Sequence, residues 1–155
     1  DGQVRDAVRS LPIRLRGLPN QNPTLTAMRV GEEVLNLDDG DDCLSVGSID
    51  FSSPVELEAV PSDSAIEEYE AVEDGLCTTV SEEDSIFLSW YSTAGEIEQG
   101  LSRLDGLENE FSGYETDVYG EPIVEDISQA RIYVAIRDGR AGISVVCLDL
   151  SSDTP

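Results

Sequence analysis

The sequence predicts an α+β fold, an antiparallel sheet with two helices, preceded by an N-terminal arm and meander and followed by a C-terminal β-hairpin. Three observations carry that expectation. Residues 62–75 and 92–106 each place apolar residues at helical spacing between a polar start and a glycine stop; alternating apolar and polar residues before, between and after them read as strands; and two β-rich runs flank Asp138-Gly139. The 155 residues suit one domain with a core of ordinary size. The expected organisation is a basic arm over 1–23, a single α+β domain over 24–150 and a flexible tail over 151–155.

The arm opens with Val4, Val8 and Leu11 at i, i+4 and i+7, and Arg5 and Arg9 on another side, a short amphipathic helix ended by Pro12. Residues 13–18 add a strand, and 17–23, with two prolines and two asparagines, form a connector. Residues 24–30 and 33–46 read as strands, the second folded into a hairpin at Asp38-Asp39-Gly40-Asp41-Asp42. Beyond Pro54, Val55, Leu57 and Ala59 alternate with Glu56 and Glu58, a strand with one solvated face. Ser62, Asp63 and Ser64 supply caps for a helix carrying Ala65, Ile66, Tyr69 and Val72 and stopped at Gly75. Strands follow over 76–80 and 86–91, separated by the polar turn 81–84. Ser92 or Thr93 caps a second helix with Ile97, Leu101 and Leu104 on one side and Gly106 at its end, and 107–119 gives another strand.

This strand-helix-strand-strand-helix-strand order is that of a ferredoxin-like core. At the level of fold alone it resembles ACT-like regulatory domains. Ile66-Glu67 and Ile97-Glu98, like Asp74-Gly75-Leu76 and Asp105-Gly106-Leu107, recur at an offset of 31, either as a weak internal repeat or as shared helix-stop grammar. The closing hairpin pairs residues 131–137 with 141–150 around Asp138-Gly139, with Ile132, Val134 and Ile136 on one face and Val146, Leu148 and Leu150 on one face.

Charge comes next. There are 33 Asp+Glu against 9 Lys+Arg, a formal net charge of −24, and every base is arginine. Residues 1–29 hold five arginines and two aspartates, whereas 30–130 hold 28 acids and Arg103 alone. A basic arm thus precedes an acidic body, and Arg5, Arg9, Arg14 and Arg16 are candidate contact residues, toward their own body or that of a neighbouring subunit. At 1 M ionic strength the Debye length is roughly 3 Å, so such a charge excess is largely screened. The composition resembles that of proteins from salt-in halophilic archaea and their viruses. An acidic decoy for a basic site and an acidic domain from a GC-rich bacterium are the alternatives. Nucleic acid is an unfavourable partner, since the field repels phosphate, and solvent cations are expected to condense on the surface.

Several chemistries are excluded. With no histidine the chain lacks the commonest general base and zinc ligand, and with no lysine it lacks a Schiff-base or P-loop amine. Gly95, Gly100 and Gly106 are wrongly spaced for a dinucleotide loop, and no frame through 38–42 meets the calcium-loop pattern. No catalytic, cofactor or metal residue is therefore assigned, and no enzyme is expected. Cys43, Cys77 and Cys147 sit in strand-like runs, read as buried small hydrophobes with one disulfide as the alternative. Asn22-Pro23-Thr24 is disqualified as a glycosylation site by its proline. No apolar run is long enough to span a bilayer, and the chain begins at Asp1, as a processed or trimmed product does.

Trp90 and Tyr91 are either core anchors or interface anchors, and the edge of the last hairpin is a place for strand pairing with another chain. The expected function is that of a structural or assembly protein of a halophilic archaeon or its virus, a virion, tail, filament or surface-lattice component. Its copies would meet through the basic arm and the acidic body, in a high-salt cytoplasm or a virion or extracellular assembly. The alternatives are an ACT-like regulatory or small-ligand module and an acidic inhibitor or DNA mimic.

Overall fold

A computed structural model describes residues 20–37, 43–47, 49–73, 76–81, 83–116, 119, 122–123 and 127–152. Its strands are β1 (Leu25–Val30), β2 (Glu33–Asn36), β3 (Leu44–Val46), β4 (Val55–Pro61), β5 (Glu68–Glu73), β6 (Leu76–Ser81), β7 (Phe87–Ser92), β8 (Glu96–Ile97), β9 (Leu101–Arg103), β10 (Glu108–Ser112), β11 (Glu115–Thr116), β12 (Pro122–Ile123), β13 (Gln129–Arg137) and β14 (Ile143–Ser151). The helical content among the described residues is a single 3-10 turn, Glu83–Ser85. The expected α+β class, and with it the ferredoxin-like core and the ACT-like resemblance, is corrected to an almost wholly β fold.

Two five-stranded sheets form the body, sheet I in the order β2-β1-β4-β10-β8 and sheet II in the order β3-β14-β13-β7-β9. Their inner faces share one apolar core, as in a β-sandwich. Met28, Leu57, Ala59 and Phe111 come to it from sheet I, and Leu88, Trp90, Ile132, Val134, Ile136, Leu148 and Leu150 from sheet II. The chain switches sheets repeatedly, and β5 and β6 form a separate hairpin.

The two expected helices fail for physical reasons. Residues 63–74 carry Asp63, Glu67, Glu68, Glu70, Glu73 and Asp74 with no base, and a helix would stack like charges at i, i+3 and i+4. As β5, the glutamates instead lie opposite uncharged positions of β6, with Glu68 across from Ser81, Glu70 from Thr79 and Glu73 from Leu76. In the second segment Gly95 has φ +70°, and a Cβ there would lie 2.3 Å from the Ser112 carbonyl oxygen and 2.8 Å from the Phe111 ring. Ser92, expected as a cap, binds the Ala94 amide through its hydroxyl at 3.3 Å and tightens a turn between strands. Ile97 then joins sheet I through β8, while Leu101 joins sheet II through β9 and is 60% exposed. Of the stretches that recur at an offset of 31, Ile66-Glu67 precedes β5 in a loop whereas Ile97 lies in β8, and Asp74-Gly75 lies outside the described residues.

The strand readings over 55–59, 76–80 and 86–91 hold, and the closing hairpin is present with its first strand extended back to Gln129 and its second running Ile143–Ser151, Gln129 opposite Ser151 and Arg137 opposite Ile143. Its turn is organised by buried Asp138, whose Oδ1 accepts from the amides of Arg140 (2.8 Å) and Gly142 (2.7 Å) and whose Oδ2 accepts from Asn20 Nδ2 (2.8 Å). The left-handed residue is Ala141 (φ 74°), and Gly142 is required because a Cβ would meet the Asp138 carboxylate at 2.2 Å. The segments expected to form one hairpin around 38–42 part company: β2 pairs with β1 in sheet I, while β3 pairs with β14 in sheet II. Residues 38–42 themselves, and the helix and strand expected over 4–11 and 13–18, lie outside the described residues. Ser151, assigned to the tail, still belongs to β14, and the Ser152 amide donates to the Ser128 carbonyl at 3.0 Å.

Candidate functional site

Strand alternation gives each sheet an outer face, and the two outer faces differ in chemistry. On sheet I, β4 turns Leu57 and Ala59 into the core and leaves Glu56 and Glu58 outside. β10 repeats this with Asn109 and Phe111 inside and Glu108 and Glu110 outside. Register places Glu108 directly opposite Glu58 and Glu110 directly opposite Glu56. Glu96 follows opposite Ser112, and the Glu98 amide donates to the Glu110 carbonyl at 2.9 Å, which brings two further glutamates to the same surface.

Asn109 fixes this edge. It is buried, its Oδ1 accepts from the Gln99 amide at 3.1 Å, and its Nδ2 donates to the Gln99 carbonyl at 2.7 Å. A concavity of about 470 Å³ results, lined by Glu56, Glu58, Glu98, Glu108 and Glu110, with Arg29 beside them and paired with Glu58. Like charges directly across a ladder repel by about 0.2–1 kcal/mol each in ordinary salt, so this surface favours cationic surroundings. No group of three His, Cys, Asp or Glu side chains among the described residues is arranged to hold a metal ion.

The outer face of sheet II is mostly apolar. One row crosses four strands as Val145, Ala135, Ser89 and Leu101, and the next as Cys147, Tyr133 and Tyr91. Ile143, Arg137, Phe87 and Arg103 form a third row, and Asp149 and Arg131 a fourth. Asp149 is the one acid among the described outward residues of these rows. Arg131 neutralises it through Nε to Oδ1 at 2.5 Å and Nη2 to Oδ2 at 2.8 Å, and this donated pair holds the Asp149 carboxyl below its usual range. Val145 and Leu101 at the two ends of the first row are 58% and 60% exposed and Tyr91 is 53% exposed, whereas Ala135 and Ser89 between them are buried.

Cys43 and Cys147 are joined by a disulfide, with Cα atoms 4.8 Å apart, which corrects the reading of these two as free buried thiols. The bond continues the parallel register in which Leu44 faces Leu148 and Val46 faces Leu150, so it staples edge strand β3 to β14 across 104 residues of sequence. A second tie was not foreseen from the sequence. Arg140 pairs with Glu67 and stacks its guanidinium 4.6 Å from the Tyr69 ring centre, anchoring the β5–β6 hairpin to the turn after β13.

Of the residues singled out by sequence, Arg5, Arg9, Arg14 and Arg16 lie outside the described residues. Trp90 is in the core, 2% exposed, its Nε1 donating to Ser102 Oγ at 2.9 Å. Tyr91, one position on, points to the opposite side and stands on the outer face of sheet II. Sequence reasoning missed both faces as surfaces. Their signals were three of the four Glu-x-Glu motifs (Glu56-Leu57-Glu58, Glu96-Ile97-Glu98, Glu108-Asn109-Glu110), the fourth, Glu68-Tyr69-Glu70, lying in β5, and the apolar run of residues 132–136. No helix among the described residues is long and apolar enough to cross a membrane. No family model, curated protein or solved structure matches the chain.

Proposed function

We propose that the chain is a non-enzymatic structural or assembly protein of a salt-adapted archaeon or its virus, a component of a virion, tail, filament or surface lattice. Its copies meet with the acidic body of one subunit receiving a basic element of the next, the arm with Arg5, Arg9, Arg14 and Arg16 among them. The observation that carries this reading is the glutamate face of sheet I: Glu56, Glu58, Glu98, Glu108 and Glu110 share one ordered surface, where an arginine-bearing segment finds several carboxylates at once. The Cys43–Cys147 disulfide supports the virion or extracellular setting over a reducing cytoplasm, because disulfides persist in oxidising compartments.

Removing residues 1–20 and measuring mass by light scattering in molar salt tests the proposal. The expected result is a smaller assembly, and unchanged assembly sinks the role of the arm. The same glutamate face suits an acidic inhibitor of a basic site. That second reading calls for a chain that is monomeric by itself and binds a basic partner with an affinity that falls steeply as salt rises.

A further inference from the structure

We infer that the outer face of sheet II is a docking surface, and that its occupant is the glutamate face of sheet I on a second copy of the same chain. The inference rests on the assembly reading and names the body surface that meets the acidic one. Its first support is patterning. An antiparallel strand at the outside of a sandwich alternates apolar and polar residues, whereas one covered on both sides is apolar throughout. β13 has Ile132, Val134 and Ile136 turned into the core and Tyr133 and Ala135 turned outward between Arg131 and Arg137, and β14 turns Ile143 and Val145 outward beside it.

The second support is charge complementarity. In a chain of net charge −24, the paired rows of this face carry Arg103, Arg131 and Arg137 against Asp149 alone among the described residues, and Arg131 already satisfies Asp149. Arg137 also keeps Nε buried without a hydrogen-bond acceptor in the single chain. The facing surface on another copy presents Glu56, Glu108 and their neighbours, in rows set by the same strand spacing. Contacts made on desolvation are screened far less by salt than exposed ones, and apolar burial persists in molar salt, so the pairing suits a saline setting. Because the two patches differ, the contact is heterologous: each bound copy leaves one of each face open.

The test uses two variants of the full chain, in molar KCl, with mass followed by light scattering and folding by circular dichroism. Leu101→Glu with Val145→Glu disables the sheet II face at two exposed positions. Glu56→Arg with Glu108→Arg disables the sheet I face. Each variant alone is expected to associate at least about tenfold more weakly than the wild type, and their mixture to form a one-to-one dimer that grows no further, since each supplies the face the other lacks. The milder pair Leu101→Thr and Val145→Thr, which keeps good strand formers, is expected to weaken association in the same direction. If the wild type assembles but the Glu56→Arg/Glu108→Arg variant assembles equally well, or the mixture forms no dimer, the face-to-face pairing is wrong while the assembly reading stands. A wild type monomeric at every concentration overturns both.

Discussion

Sheets I and II use the same alternation of residues to build the same core, yet they show opposite outsides. Sheet I sets Glu108 against Glu58 and Glu110 against Glu56, so its outer ladder brings like charges together, with Arg29 paired to Glu58 beside them. Sheet II sets Tyr133 beside Tyr91 and Ala135 beside Val145, and its edge is held by a covalent bond. Inner faces decide whether the chain folds. Outer faces carry the chemistry that distinguishes the two sheets.

The comparison can be broken most forcefully at the disulfide. Cys43→Ser with Cys147→Ser releases a loop closed over 104 residues, for which chain entropy gives about 4–5 kcal/mol. Denaturant unfolding in molar salt is expected to show a midpoint far below that of the oxidised wild type, and reductant is expected to lower the wild type likewise. On sheet I the corresponding lock is packing. Phe111, fully buried and edge-on to Phe51 with ring centres 5.7 Å apart, is expected to cost about 3–5 kcal/mol as Phe111→Ala. Thermal unfolding reads that loss, and it should persist at every salt concentration.

Smaller effects sharpen the contrast between the faces. Glu108→Gln with Glu110→Gln removes two direct cross-strand repulsions and is expected to raise stability by about 1 kcal/mol at low salt, with the gain vanishing in molar KCl. A gain independent of salt would show that repulsion is not what these glutamates contribute. The smallest effect belongs to Asp149→Asn. Because Arg131 lowers the Asp149 carboxyl, this pair stabilises fully above the ordinary aspartate range and loses its contribution as pH falls through the lowered folded value. The variant should be slightly less stable than the wild type near neutrality, and the gap should close in acid, as followed by unfolding at a series of pH values.

Much of the sheet content was legible in the sequence, and its assignment to faces was not. The alternation in 55–59 and the paired runs around Asp138-Gly139 reported real strands, because period-2 patterning is enforced by a one-sided core. Residues 62–75 and 92–106 misled, because a few apolar residues at i, i+4 and i+7 also fit short strands broken by turns. Deciding against the helices needed the like-charge stacking along 63–74 and the positive φ of Gly95, the first countable from the sequence and the second not. That β2 joins sheet I and β3 sheet II is a long-range choice, set by β3 finding β14 more than a hundred residues away, and local patterning carries no trace of it. Like that of β5, the Glu-x-Glu motifs of β4, β8 and β10 were legible one at a time. Their convergence on one face required the register.

The mass of the oxidised wild-type chain in molar KCl, followed by light scattering over rising concentration, distinguishes pairing of unlike faces from a closed or monomeric chain. Pairing between unlike faces predicts a mass that climbs past the dimer, since every added copy leaves another surface open. A chain that stays monomeric throughout, or that stops at a dimer, would contradict it.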